Sequence, residues 1–203
     1  LPRLKLIAVA ATGVNNVDLV AAKELGISVC NVNGYGTATV VQHTLSLMLA
    51  LAGNLLSYQR DAQNGTWASS NMFCLMDYPI VELEGKVLGI VGYGELGKNL
   101  ERLASALGMQ VKIAQRTGSP SGENRIPLIS LLPQVDFLSI HCLLSEQTND
   151  LIDESAIRLM RRGSFLINTA RGGIVNEQAV YKALMDGHLA GAAFDVLTAE
   201  PPA

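Results

Sequence analysis

Short apolar runs and amphipathic stretches alternate from one end of the chain to the other. Leu4–Ala11 reads as a strand, Asp18–Leu25 as a helix, Ile27–Asn31 as a strand, and the residues from about Thr37 to Tyr58 as one long helix. A polar, loop-like region over 61–70 and the stretch Met72–Glu84, which contains Pro79, interrupt the pattern. A second series follows: strand Lys86–Val91, helix Gly97–Leu107, strand Val111–Ala114, a short helix near Leu128–Leu132, strand Asp136–His141, helix Asp153–Met160, strand Ser164–Asn168, helix Asn176–Asp186 and strand Gly191–Val196. The strands are short, β-branched and nearly unbroken in apolar character, as in a parallel sheet covered by helices on both faces. Asp153 and Asn176 stand where a side chain can accept from the first helical N–H groups, and Gly163 and Gly187 where a helix ends in left-handed backbone. Such alternation predicts an α/β fold.

With 203 residues, 49% of them hydrophobic, the chain can bury a sizeable core. The net charge of −3 is built from mixed signs without a basic patch, so nucleic acid is not an expected partner. The longest apolar stretch, Val40 to Leu56, is interrupted by Gln42, His43, Thr44, Ser46 and Asn54, which predicts a buried helix and no membrane association. Cys30, Cys74 and Cys142 are far apart and form no C-x-x-C, a usage that fits a reducing cytoplasm better than a disulfide framework. Cys142 reads as a buried thiol in preference to a reactive one. The chain opens at Leu1-Pro2 without a methionine and closes at Ala203 just past a strand, so a fragment of a longer protein is expected.

The first candidate for chemistry is Gly92-Tyr93-Gly94-Glu95-Leu96-Gly97, a G-x-G-x-x-G with a strand before it and a helix after it. Gly92 permits the tight turn, Gly94 lets backbone approach a pyrophosphate, and Gly97 lets the helix lie against the strand. The helix N-terminus adds N–H donors and a partial positive charge. At the end of the next strand an NAD site usually places a carboxylate for the ribose 2′-OH, but this chain has Gln115-Arg116. A neutral glutamine does not repel a 2′-phosphate and an arginine can pair with it, so NADP is favoured while NAD stays open. Further on, Arg171 follows Ile167-Asn168-Thr169-Ala170 and precedes Gly172-Gly173. A planar guanidinium at the carboxyl end of a strand can hold the carboxylate of a 2-oxo acid and polarise its C2 carbonyl. Glu200, before Pro201-Pro202, is the second acidic or basic group expected just past a strand of the same sheet.

Together these motifs resemble the D-isomer-specific 2-hydroxyacid dehydrogenases, and the resemblance runs over essentially all of the chain. Ala11-Thr12-Gly13-Val14-Asn15-Asn16-Val17-Asp18 matches a loop whose backbone N–H groups near Gly13 and Val14 hold the substrate carboxylate. Asn33-Gly34-Tyr35-Gly36 leads into the long helix, and Gly65-Thr66-Trp67 follows it, as in that family. Asp195, in Ala193-Phe194-Asp195-Val196, matches a residue that hydrogen-bonds the nicotinamide carboxamide; an ordinary loop aspartate facing a helix is the alternative. His141 and Cys142 match positions bordering the adenine side of the cofactor, and Thr148, Thr169 and Ala170 match positions that line it. Val40-Val41-Gln42-His43-Thr44 is most similar to the branch of glycerate dehydrogenases and hydroxypyruvate (glyoxylate) reductases. Leu143, where a proline is common, and Gln115 depart from the pattern.

The resemblance implies a Rossmann-type doubly wound sheet over 37–203 and, over 1–36, part of a smaller flavodoxin-like α/β substrate domain. It implies a homodimer through the nucleotide-binding domain. Its chemistry is hydride transfer between NAD(P) and a small D-2-hydroxyacid or 2-oxo acid, with glycerate and hydroxypyruvate or glycolate and glyoxylate expected and no metal required. Arg171 would bind and polarise the substrate. Glu200 would raise the basicity of a histidine further downstream, the general acid and base, and none of His43, His141 and His188 follows Glu200. His43 and His188 are therefore read as structural. Formate dehydrogenase is disfavoured because it moves no proton and carries glutamine at the position of Glu200. A dinucleotide-sensing corepressor on the same fold is the competing class, because a fold does not fix a function.

Overall fold

The computed structural model describes residues 3–14, 16–116 and 125–202, and Asn15 of the Gly13 loop lies outside them. The chain divides into two compact units, Leu1–Thr39 and Val40–Ala203, a boundary three residues beyond the expected one. In the first unit, strands β1 (Leu6–Ala8) and β2 (Ser28–Cys30) pair in parallel, and helix α1 (Leu19–Glu24) joins them. Asp18 caps α1 by accepting from the Ala21 N–H at 2.9 Å.

The second unit holds a six-stranded sheet in the order β5-β4-β3-β6-β7-β8, with every pairing parallel. Its strands are β3 (Val87–Val91), β4 (Gln110–Ala114), β5 (Arg125–Ile126), β6 (Phe137–Ile140), β7 (Ser164–Asn168) and β8 (Leu189–Phe194). With β3 counted as first, this is the 3-2-1-4-5-6 order of the dinucleotide-binding fold, and the strand order reverses between β3 and β6. The edge strand β5 is too short to leave a periodic signal, and the sequence pattern does not predict it.

Both faces of the sheet are covered, as the unbroken apolar strands require. On one face Leu138, Ile140 and Leu166 pack with residues of α5 (Leu128–Leu131), α6 (Glu154–Leu159) and α7 (Glu177–Met185). On the other, Leu88, Ile90, Phe137, Phe165 and Ile167 meet α4 (Glu95–Ala106) and α2 (Thr37–Ala52), with the Phe137 and Phe165 rings stacked at 4.7 Å. Asp153 and Asn176 cap α6 and α7 as expected, accepting from the Ala156 N–H at 2.8 Å and the Ala179 N–H at 2.9 Å.

The single long helix expected over Thr37–Tyr58 is instead two, α2 and α3 (Leu55–Gln63), bent by 65°. Gly53 and Asn54 break it: Asn54 adopts left-handed backbone at φ 48°, and its side-chain amide donates to the Pro79 carbonyl at 2.5 Å. Asparagine tolerates that conformation better than other non-glycine residues, so the apolar periodicity continues past a point where the backbone cannot. Among the described residues no single helix is long and apolar enough to cross a membrane.

Candidate functional site

The parallel registers align the carboxyl ends of four strands. Val91 pairs with Ile140, Ile140 with Asn168, and Asn168 with Phe194. The residues one step beyond that row are Gly92, His141, Thr169 and Asp195, four of the predicted site positions, and Gln115 is likewise the first residue past β4. From β4 to β8 the row crosses four strand spacings, roughly 19 Å. A ligand that touches both ends must be long.

At the switch point Gly92 has φ 98°, and a Cβ there would overlap the Cys142 amide nitrogen and the His141 carbonyl carbon. The ladder is tight at this point because the His141 N–H donates to the Val91 carbonyl at 2.7 Å. A Cβ on Gly97 would lie 2.5 Å from the Gly92 carbonyl oxygen, so helix α4 sits directly against the turn. Gly94 differs: it is the N-cap of α4, has no side chain to cap it, and a Cβ there would meet nothing within 4 Å. Among the described residues, glycine at Gly94 therefore has no steric cause. An open approach to a helix N-terminus fits a pyrophosphate, with Glu95 and Leu96 in the first turn.

His141 shares a hydrogen bond between its Nε2 and the Ser139 hydroxyl at 2.9 Å, while its Nδ1 is buried without a partner among the described residues. Burial lowers its pKa to about 4, so the ring is neutral at physiological pH. Burial also pushes the neighbouring Cys142 thiol upward, which keeps it protonated and unreactive. Thr148 holds the turn after them: its hydroxyl donates to the Leu143 carbonyl at 2.6 Å and accepts from the Ser145 N–H at 2.7 Å. Gln115 donates its backbone N–H to the Ile126 carbonyl at 2.8 Å, and Arg116 beside it is exposed.

Beyond β7, Asn168 organises the turn that carries Arg171: its side chain accepts from the Ala170 N–H at 3.0 Å and donates to the Arg171 carbonyl at 2.9 Å. The Arg171 Nη1 donates to the Ala170 carbonyl at 2.7 Å. A Cβ on Gly172 would overlap the Leu197 carbonyl, so this turn packs backbone to backbone against the loop after β8. In that loop Glu200 accepts from the Leu197 N–H at 2.8 Å, and Glu177 accepts from the Thr198 N–H at 2.7 Å. The structure thus joins the Arg171 turn to the Glu200 loop through Gly172 and Leu197. Gly13 and Val14 lie in the other unit, in a loop held by the Val17 N–H donating to the Val14 carbonyl at 2.9 Å.

Two contacts in this region have no counterpart in the sequence reading. His43 of α2, read there as structural, pairs with Asp195 at 3.2 Å. The Arg125 guanidinium lies 4.7 Å above the ring of Tyr93, inside the glycine loop. A periodicity scan finds neither, since each joins residues that only the folded sheet brings together. His188, by contrast, lies between α7 and β8 and hydrogen-bonds the Ile157 carbonyl at 2.9 Å, a structural role.

Residues 45–203 match the model of the D-isomer specific 2-hydroxyacid dehydrogenase NAD binding domain. The chain belongs to this family. A glycerate dehydrogenase of Methylorubrum extorquens is 45% identical over 202 residues, covering 100% of this chain and 63% of the relative. A hydroxypyruvate reductase of Blautia hydrogenotrophica is 37% identical, covering 98% and 63%. The crystal structure of a D-lactate dehydrogenase from Aquifex aeolicus, complexed with NAD and lactic acid, superimposes with a TM-score of 0.86 at 30% identity, covering 97% of this chain and 59% of that one. The chain thus spans less than two thirds of the length of these relatives. Membership of the dehydrogenase family agrees with the Rossmann strand order and with the open helix N-terminus at Gly94.

Proposed function

We propose that the protein transfers a hydride between NAD(P) and a small D-2-hydroxyacid or its 2-oxo acid, glycerate and hydroxypyruvate or glycolate and glyoxylate being the preferred pairs. The observation that carries this reading is the linked Arg171–Gly172 turn and Leu197–Glu200 loop, set on the same sheet edge as the Gly92–Gly97 loop. The similarity to glycerate dehydrogenase and hydroxypyruvate reductase supports the choice of substrate. When bound, the nicotinamide ring supplies or accepts the hydride. Gly92, Gly94, Glu95, Leu96 and Gly97 would hold the pyrophosphate, and His141, Cys142, Thr148, Thr169 and Ala170 would line the cofactor. Asp195 would accept from the nicotinamide carboxamide. Arg171 would hold the substrate carboxylate and polarise its carbonyl.

The proton donor is assigned to a histidine paired with Glu200 and not to the three described ones. His141 stays neutral down to about pH 4, His188 is bound to a backbone carbonyl, and His43 has as its partner Asp195, which is assigned to the nicotinamide carboxamide. A carboxylate beside the donor stabilises the imidazolium, and each pKa unit is worth about 1.36 kcal/mol. Glu200→Gln is therefore expected to leave substrate affinity nearly unchanged and to move the falling limb of the reduction pH profile to lower pH. A profile that overlays that of the wild type would remove Glu200 from the mechanism.

NADP is the favoured cofactor within this reading, on the strength of Gln115 and the exposed Arg116. Arg116→Ala is expected to raise the KM for NADPH roughly tenfold, the scale of one charge-assisted hydrogen bond, and to leave that for NADH nearly untouched. Equal effects on both would contradict the assignment. The same reading includes a homodimer, supported by the exposed apolar Leu55, Leu56, Phe73 and Met76, and a cytoplasmic setting, supported by three free thiols. The alternative, a dinucleotide-sensing interaction protein, predicts cofactor binding without turnover of hydroxypyruvate or glyoxylate.

A further inference from the structure

Two consecutive residues of α2 reach two adjacent strand ends. The Thr44 hydroxyl, fully buried, donates to the Val40 carbonyl at 2.8 Å and meets the Thr169 hydroxyl at 2.9 Å, so Thr169 is the donor of that pair. Beside it, His43 Nε2 lies 3.2 Å from Asp195 Oδ1, with the two side chains 45% and 51% exposed. Asp195 is fixed at its backbone, since its N–H donates to the Asn168 carbonyl at 3.0 Å, but its side chain has no other bond among those described. The buried threonine pair already sets α2 against the sheet. An ion pair as exposed as His43–Asp195 adds little to fold stability. The consequence of the contact lies in what it does to the carboxylate.

In this contact the imidazole nitrogen is set against one oxygen of the carboxylate. The contact engages Oδ1 and restrains the Asp195 side chain, and Oδ2 has no partner among the described residues. We propose that His43 is a positioning residue for the cofactor, which presents Oδ2 of Asp195 to the carboxamide N–H of the bound nicotinamide. This rests on the proposed role of Asp195 and extends it to a residue of another element. A pre-held acceptor loses less freedom on binding than a mobile one, and the gain is confined to ligands that have an N–H to offer.

The experiment measures calorimetric Kd values for NADH and for reduced 3-acetylpyridine adenine dinucleotide, in which a methyl group replaces the carboxamide NH2. The proteins compared are wild type, His43→Leu, His43→Gln and Asp195→Ala, each with a thermal melt. Wild type is expected to prefer NADH. His43→Leu is expected to weaken NADH about tenfold, the scale of one hydrogen bond to a charged group, and to leave the analogue unchanged, so that the preference disappears. His43→Gln, which retains an N–H donor, is expected to keep most of it. If Asp195→Ala loses the preference and His43→Leu keeps it, the inference is overturned while the role of Asp195 stands. A wild type without preference overturns both. Equal weakening of the two ligands, or loss of folding in His43→Leu, assigns the pair a structural role and overturns the inference.

Discussion

Replacing Arg171 with lysine is expected to raise the KM for the 2-oxo acid and lower kcat together, with kcat/KM falling by about two to three orders of magnitude, the cost of removing one preorganised donor to a developing oxyanion. Lysine keeps the charge but loses the fork, and one ammonium cannot hold a carboxylate and a carbonyl oxygen in one plane. The turn itself should survive, because the Asn168 side chain and Gly172 hold it through backbone groups that the substitution leaves in place. Thermal stability and cofactor affinity should therefore stay close to wild type. A change in KM alone would mean that Arg171 binds the ground state and transition state equally, and a change in neither would remove it from the site.

Gly92→Ala is expected to have the largest structural effect of any single methyl group in the glycine loop. The position has φ 98°, outside the usual range of residues with a Cβ, and the added carbon would overlap the backbone of His141 and Cys142. Relief requires parting β3 from β6, where the His141 N–H meets the Val91 carbonyl. A cost of about 2–4 kcal/mol is a large part of the roughly 5–15 kcal/mol that stabilises a domain, and corresponds to a fall of about 5–15 °C in Tm. Cofactor binding should be lost with it. Gly94→Ala is the control: with nothing within 4 Å of the new Cβ, folding and Tm should be unaffected while cofactor affinity falls. If Gly94→Ala bound NADPH as tightly as wild type, the pyrophosphate would not approach there.

Much of the fold and of the site was legible because it depends on local chemistry. The cap residues Asp153 and Asn176, the apolar strands and the glycine loop each announce themselves within a few residues, and each appears where expected. The motif also carried the roles of individual glycines: Gly92 and Gly97 are steric necessities of the fold, whereas Gly94 is open. What escaped was set by backbone conformation or by long-range pairing. The α2–α3 break turns on Asn54, whose left-handed backbone is stabilised by Pro79 in a distant loop. Strand β5 has only Arg125 and Ile126, and the His43–Asp195 pair spans almost the whole second unit. The row of Gly92, His141, Thr169 and Asp195 likewise exists only through strand register, although each member had been identified separately.

The most direct test of the account is the reaction itself, carried out with the whole protein, hydroxypyruvate and NADPH or NADH, and followed by the absorbance of the reduced cofactor and the chirality of the product. The account predicts cofactor oxidation dependent on hydroxypyruvate or glyoxylate, D-glycerate as the sole glycerate product, and near-complete loss of turnover in Arg171→Lys at unchanged cofactor affinity. Tight cofactor binding with no turnover of either 2-oxo acid, or L-glycerate as product, would contradict it.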